Sequence, residues 1–168
     1  MGVTTATVDL DRYRPNVGLA LFHKTGLVFL GRRVGQQSAH MWQMPQGGVD
    51  AGETPREAAL RELEEEVGLA PSMVEIAEET PDWLTYEFPP EVRARGGVGR
   101  YIGQKQKWFA LRFLGRDADV RLDLHKPEFG QWRWARLDEA PSLVIPFKRP
   151  VYEEVARRFR RHAEGIKA

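Results

Sequence analysis

The chain contains no cysteine, which excludes disulfides and thiolate-held metal sites and is compatible with a cytoplasmic protein. No apolar run approaches the roughly 18–20 residues of a membrane span. The opening MGVTTATVDLDRYR lacks the apolar centre of a secretion signal, and Asp9 and Asp11 argue against a transit peptide. Met1-Gly2 invites acylation, but Ala6 stands where Ser or Thr is wanted. No internal repeat is visible. With 168 residues, 42% of them hydrophobic, the chain is expected to bury a single core as one domain over 1–168, with 1–12 a short mobile arm.

Net charge is almost nil at +1, but it is unevenly placed. Residues 47–69 hold Asp50, Glu53, Glu57, Glu62, Glu64, Glu65 and Glu66 against Arg56 and Arg61, whereas 147–168 hold seven Lys or Arg against three Glu. An acidic locus repels a polyphosphate unless metal ions bridge the two, and basic residues elsewhere attract it. Most of the tail arginines, taken singly, read as the exposed side of an amphipathic helix.

The acidic stretch, GGVDAGETPREAALRELEEEVGL, organises the rest. Thr54 to Glu57 is a capping box with Pro55 at the first helical position, so a helix starts at Pro55 and Gly68 ends it. Helical spacing puts Leu60, Leu63 and Val67 on one stripe with Ala59 at its edge. It also brings Glu62, Glu65 and Glu66 together at i, i+3 and i+4. Such pairs cost roughly 0.2–0.5 kcal/mol each, and the negative end of the helix dipole adds about 0.3–1 kcal/mol per anion. A hard divalent cation explains the arrangement, since Mg²⁺ takes oxygen ligands and leaves positions open for phosphates.

Around this stretch, residues 14–22 and Leu27–Leu30 read as a hairpin of buried strands, followed by the basic Gly31-Arg32-Arg33. Gly35 to Gln46 reads as a long loop. Val74–Glu79, Trp83–Phe88, Gln104–Phe113 and Trp132–Ala135 read as strands, with Trp108 and Phe109 in packing roles. Arg93–Gly103 is a loop rich in Gly and Arg, and Asp117–Lys126 is a polar loop. A short helix starts at Leu137, and a longer one runs from about Pro150 to His162 with Val151, Val155 and Phe159 facing the core.

The stretch also matches a known signature. Gly47, then Glu53, then Arg61-Glu62-Leu63-Glu64-Glu65-Glu66-Val67-Gly68-Leu69 resembles the motif of the Nudix hydrolase family. The resemblance implies an α/β (α+β) fold, a central mixed β-sheet sandwiched between helices. It also implies a loop–helix–loop that binds Mg²⁺, or Mn²⁺, and cleaves a nucleoside diphosphate linked to another group. YRPNVG at 13–18, WQMPQGG at 42–48, IGQKQKWF at 102–109 and PEFGQWRW at 127–134 narrow the likeness. They are similar to the bacterial RNA pyrophosphohydrolases and the asymmetrical diadenosine tetraphosphate hydrolases.

By that resemblance Glu62, Glu65, Glu66, the Gly47 carbonyl and Glu128 hold two or three ions. Arg61 and Glu53 pair to orient the carboxylates, and Glu65, with Glu128 second, accepts the proton of the attacking water. Arg14 and Lys148 are expected at phosphate or RNA backbone, Arg33 at phosphate, and Phe147 under a base. Pro146 precedes Phe147 where some family members carry a hydroxyl residue, which leaves the base preference open. Three functions stay open: removal of pyrophosphate or phosphate from the 5′ end of triphosphorylated or diphosphorylated RNA, which is preferred; hydrolysis of diadenosine tetraphosphate to ATP and AMP; and a non-catalytic module that binds nucleotide or RNA. No DNA or membrane partner is expected, and oligomeric state stays open.

Overall fold

The computed structural model describes residues 9–35 and 41–165. Most of the arm expected over 1–12 therefore lies outside the described residues, as do 36–40 of the expected loop. Of the arm, Leu10–Arg12 forms one 3-10 turn, with the Asp9 carboxylate accepting the Asp11 N–H at 3.1 Å. The chain then runs β1 (Tyr13–Phe22), β2 (Val28–Arg33), β3 (Trp42–Gln43), β4 (Gln46–Gly48), α1 (Pro55–Val67), β5 (Val74–Glu79) and β6 (Leu84–Glu87). It continues through α2 (Pro90–Ala94), β7 (Gly103–Phe113), β8 (Phe129–Ala135), α3 (Ala140–Leu143) and α4 (Arg149–Arg158).

The strands form one mixed sheet with the path β3-β2-β1-β7-β5. β1 and β7 are parallel from Tyr13 opposite Gly103 to Phe22 opposite Arg112, and the other pairings are antiparallel. Alternation along β1 sends Val17, Leu19 and Leu21 to the side where α1 packs Leu63 and Val67. Ala20 and Phe22 go to the other side, against Val151, Val155 and Phe159 of the tail. Gly18 lies opposite Trp108, and a Cβ there would fall 2.3 Å from the indole, so only glycine admits the ring. Trp108 and Phe109 are both fully buried, as their packing reading requires.

The hairpin of β1 and β2 is joined at a single register point, Phe22 opposite Val28. Beyond it the strands part. β4 enters beside Asn16–Gly18, β3 takes over along β2 at Gly31 and Arg32, and β8 lies along the other edge of β2. The divergence makes room for β4 beside the middle of β1, and α1 lies over both, with Glu62 against Gly47. Thr54 caps α1 by accepting the Glu57 N–H at 3.1 Å, and Gly68 closes it with φ 76° and an N–H bond to the Glu64 carbonyl.

Several local expectations shift. The long loop contains β3 and leads into β4, because its backbone pairs with β2 and β1. β2 continues through Arg33 and β8 begins at Phe129, since the two strands pair over that length. β6 stops at Glu87, and Pro90 starts the short α2, which takes Arg93 and Ala94 from the expected loop. The tail helix begins at Arg149 and gives way at Phe159 to a 3-10 turn, Arg160–Glu164. Leu60 is only partly buried, whereas Glu62 and Glu66 are buried.

Candidate active site

A cavity of about 710 Å³ opens where β1 and β2 part. Glu62, Glu65 and Glu66 of α1 reach it from one side, with Gly47 and Glu128, while Arg14, Arg33, Phe147 and Lys148 line it from the others. Glu53 and Arg61 stand behind the carboxylates. Arg61 takes Glu53 in a two-pronged grip, Nε to Oε2 at 2.8 Å and Nη2 to Oε1 at 2.9 Å. Its remaining hydrogens go to the Gly48 carbonyl at 2.7 Å, Glu62 Oε1 at 2.8 Å and Glu65 Oε2 at 3.2 Å. The Arg61 bond holds the Glu53 carboxyl down at about 2. Arg61 thereby ties the loop to the helix and sets two of the acids.

The other acids are less well compensated. Burial pushes the Glu62 carboxyl up. Burial also raises Glu66 well above the usual carboxylate range, and the charges of Glu62 and Glu128 add to the effect. The Gln46 N–H donates to Glu66 Oε2 at 3.3 Å, and among the described residues no Lys or Arg forms an ion pair with Glu66. Gly47 touches the Glu62 carboxyl so closely that a Cβ would fall 1.9 Å from Glu62 Cδ. An all-oxygen, electron-rich wall with too little positive charge fits a hard divalent cation. The carboxylates are gathered in one cavity without being closed into a cage: among the described residues no three acidic or imidazole side chains converge in a ligating arrangement.

The opposite wall is cationic and amide-rich. Lys148 is buried, and its Nζ lies 3.1 Å from Gln46 Oε1 and 3.5 Å from Gln43 Oε1. Among the described residues it forms no ion pair, and burial followed by the charge of Arg33 pulls it down to about 8. The Phe147 ring is half-buried, 5.7 Å from the Tyr86 ring, which also meets Phe88 edge-on at 6.1 Å. Arg14 and Arg33 are exposed at the rim.

Sequence reasoning missed the polar floor that links these walls. Gln46 Nε2 donates to the Tyr86 hydroxyl at 3.4 Å and to Gln104 Oε1 at 3.3 Å, and the Tyr86 hydroxyl donates to that same oxygen. An ammonium can only donate, so Lys148 forces the Gln46 oxygen toward itself and the Gln46 amide hydrogens toward Tyr86 and Gln104. The signal was present in alternation: Tyr86 and Gln104 are cross-strand partners, so they must share a face.

A mixed sheet between helices, with a loop–helix–loop presenting carboxylates to a polyphosphate-sized cavity, defines a Nudix-type sandwich. The NUDIX domain pattern matches residues 12–157. An RNA pyrophosphohydrolase of Acidiphilium cryptum is 52% identical over 155 residues, covering 90% of this chain and 93% of its own. One of Caulobacter vibrioides is 50% identical over 160 residues, covering 94% and 92%. Among solved structures, the E. coli dihydroneopterin triphosphate pyrophosphohydrolase superposes with a TM-score of 0.65 at 20% identity, covering 87% of this chain and 98% of that one. A C. elegans Ap4A hydrolase binary complex gives 0.59 at 20% identity, covering 86% and 98%. The chain belongs to the NUDIX family.

Proposed function

We propose that this chain is a divalent-metal-dependent hydrolase that removes pyrophosphate or phosphate from the 5′ end of triphosphorylated or diphosphorylated RNA. The observation that carries the reading is one cavity with the buried carboxylates Glu62, held by Arg61, and Glu66 on one wall, and on the other a buried Lys148 that has no ion-pair partner among the described residues. A polyphosphate bridged to the acids by cations and held directly by the lysine satisfies both walls. The names of the relatives at about 50% identity support the choice of RNA. Among the described residues no helix is long and apolar enough to cross a membrane.

Glu62, Glu65, Glu66, Glu128 and the Gly47 carbonyl would hold Mg²⁺, or Mn²⁺, as two or three ions. When bound, such cations offset the charge of the polyphosphate and make water a better nucleophile at neutral pH. Glu65, half-exposed at the cavity, accepts the proton of the attacking water, with Glu128 second. Arg61 and Glu53 keep the acids and the loop in place. Arg14, Arg33 and Lys148 bind phosphate oxygens, and Phe147 carries a base.

Hydrolysis of diadenosine tetraphosphate is the second reading. It is favoured by a second ring lining the cavity, Phe88, edge-on to Tyr86, which offers a place for another base. The test compares kcat/KM for a 5′-triphosphorylated RNA and for diadenosine tetraphosphate in magnesium, with Glu65→Gln as control. A higher value for RNA supports the first reading, a higher value for the dinucleotide the second, and binding of both with turnover of neither a non-catalytic module.

A further inference from the structure

From Val92 to Arg116 the chain has no Asp or Glu, while Arg93, Arg95, Arg100, Lys105 and Lys107 all fall within it. Val92 and Gln104 both line the cavity, so the loop carrying the arginines lies at its mouth. Gln104 faces inward to Tyr86; alternation therefore puts Lys105 and Lys107 on the other side of the β6–β7 ribbon. There both ammonium groups lie over one indole, 5.1 and 5.3 Å from the centre of the Trp83 ring. Trp83, Lys105 and Lys107 are all partly exposed.

Two like charges over one ring repel each other. Lys107 is anchored on the Pro81 carbonyl, but among the described residues neither lysine has an ion-pair partner. Arg93, Arg95 and Arg100 have none either, and Arg100 lies 5.3 Å over the Tyr101 ring. The tail is different, since Glu154 answers Arg157 and Arg158, and Glu78 answers Arg161. Among the described residues, cations without an ion-pair partner thus gather on the loop at the mouth and on the ribbon behind it, together with aromatic rings, in addition to Arg14, Arg33 and Lys126 of the cavity lining.

We propose that Trp83, Lys105 and Lys107, with the loop arginines Arg93, Arg95 and Arg100, form a docking surface for the body of a single-stranded RNA whose 5′ end occupies the cavity. The inference rests on the RNA reading of that cavity. Phosphodiesters neutralise the converging cations, and rings of this kind stack bases without regard to sequence. The surface therefore favours length over sequence, and a dinucleoside polyphosphate does not reach it.

The test compares kcat/KM in magnesium for a 5′-triphosphorylated dinucleotide and for one about twelve nucleotides long, using wild type, Lys105→Gln and Arg95→Gln. Wild type is expected to prefer the longer RNA by about tenfold, and each variant to lose most of that preference while cleaving the dinucleotide within about twofold of wild type. Fluorescence anisotropy with the longer RNA bearing a 5′ hydroxyl provides a readout without turnover: Lys105→Gln should weaken binding and lower the salt slope by about 0.7. Equal losses on both lengths, or no length preference in a wild type that still cleaves the dinucleotide, overturn the surface and leave the RNA reading intact. Cleavage of neither RNA overturns both.

Discussion

Lys148 donates to the side-chain oxygen of Gln46 at 3.1 Å, and the backbone N–H of Gln46 donates in turn to Glu66 at 3.3 Å. One residue thus joins the cationic wall of the cavity to the acidic one. The lysine itself is 7% exposed, and among the described residues its ammonium has only amide oxygens as polar partners. A buried charge without a counter-ion is kept at the expense of stability. Lys148→Met should raise stability by about 1–3 kcal/mol and raise KM for RNA about tenfold or more, measured by thermal unfolding and steady-state kinetics. The folded lysine titrates near 8 against an ordinary 10.5. Between those values the unfolded chain holds a proton that the folded chain has released, so wild-type stability should rise with pH there, and the variant should lack that rise.

Glu53 provides the opposite case. Its bond with Arg61 holds it near 2 against an ordinary 4.5. Its contribution to stability is complete above about pH 4.5 and is lost as pH falls toward 2. Unfolding followed between those limits should show wild type ahead of Glu53→Gln by about 2–5 °C at the upper end and level with it at the lower. Coincident curves throughout would remove the stabilising role of the pair.

Gly47→Ala separates folding from activity. The added methyl falls on the Glu62 carboxyl, the free end of a flexible side chain, so the carboxyl must move while the backbone need not. Turnover should fall by about a hundredfold or more, with the melting temperature within about 3 °C of wild type.

Tyr86→Phe keeps the ring that meets Phe88 and Phe147 but removes the hydroxyl that bonds both Gln46 and Gln104. KM for RNA should rise about three- to tenfold with kcat within about twofold. A loss confined to kcat would place the tyrosine in the reacting machinery instead.

Helix α1 was legible to the residue because its limits are local: a threonine cap, a proline at the first turn and a glycine at φ 76°. The burial of Glu62 and Glu66 was not, because helical periodicity assigns charged side chains to solvent and carries no information that Gln46 and Gly47 of β4 come against them. β4 escaped for a similar reason. Its Gln46-Gly47-Gly48 sequence has no strand propensity and is held extended by β1. Trp108 as packing, Val151, Val155 and Phe159 as core, and Phe147 with Lys148 beside the cavity were all accessible, the last two through resemblance. The amide floor of Gln43, Gln46 and Gln104 depends on three strands meeting and could be assembled only in space.

The most direct measurement is pyrophosphate release from a 5′-triphosphorylated RNA in magnesium by wild type and Glu65→Gln, with RNA affinity determined for both. Release by wild type, slowed about a thousandfold in the variant with affinity retained, is the predicted result. RNA bound without release by wild type, or equal rates for the two proteins, would contradict hydrolysis at these carboxylates.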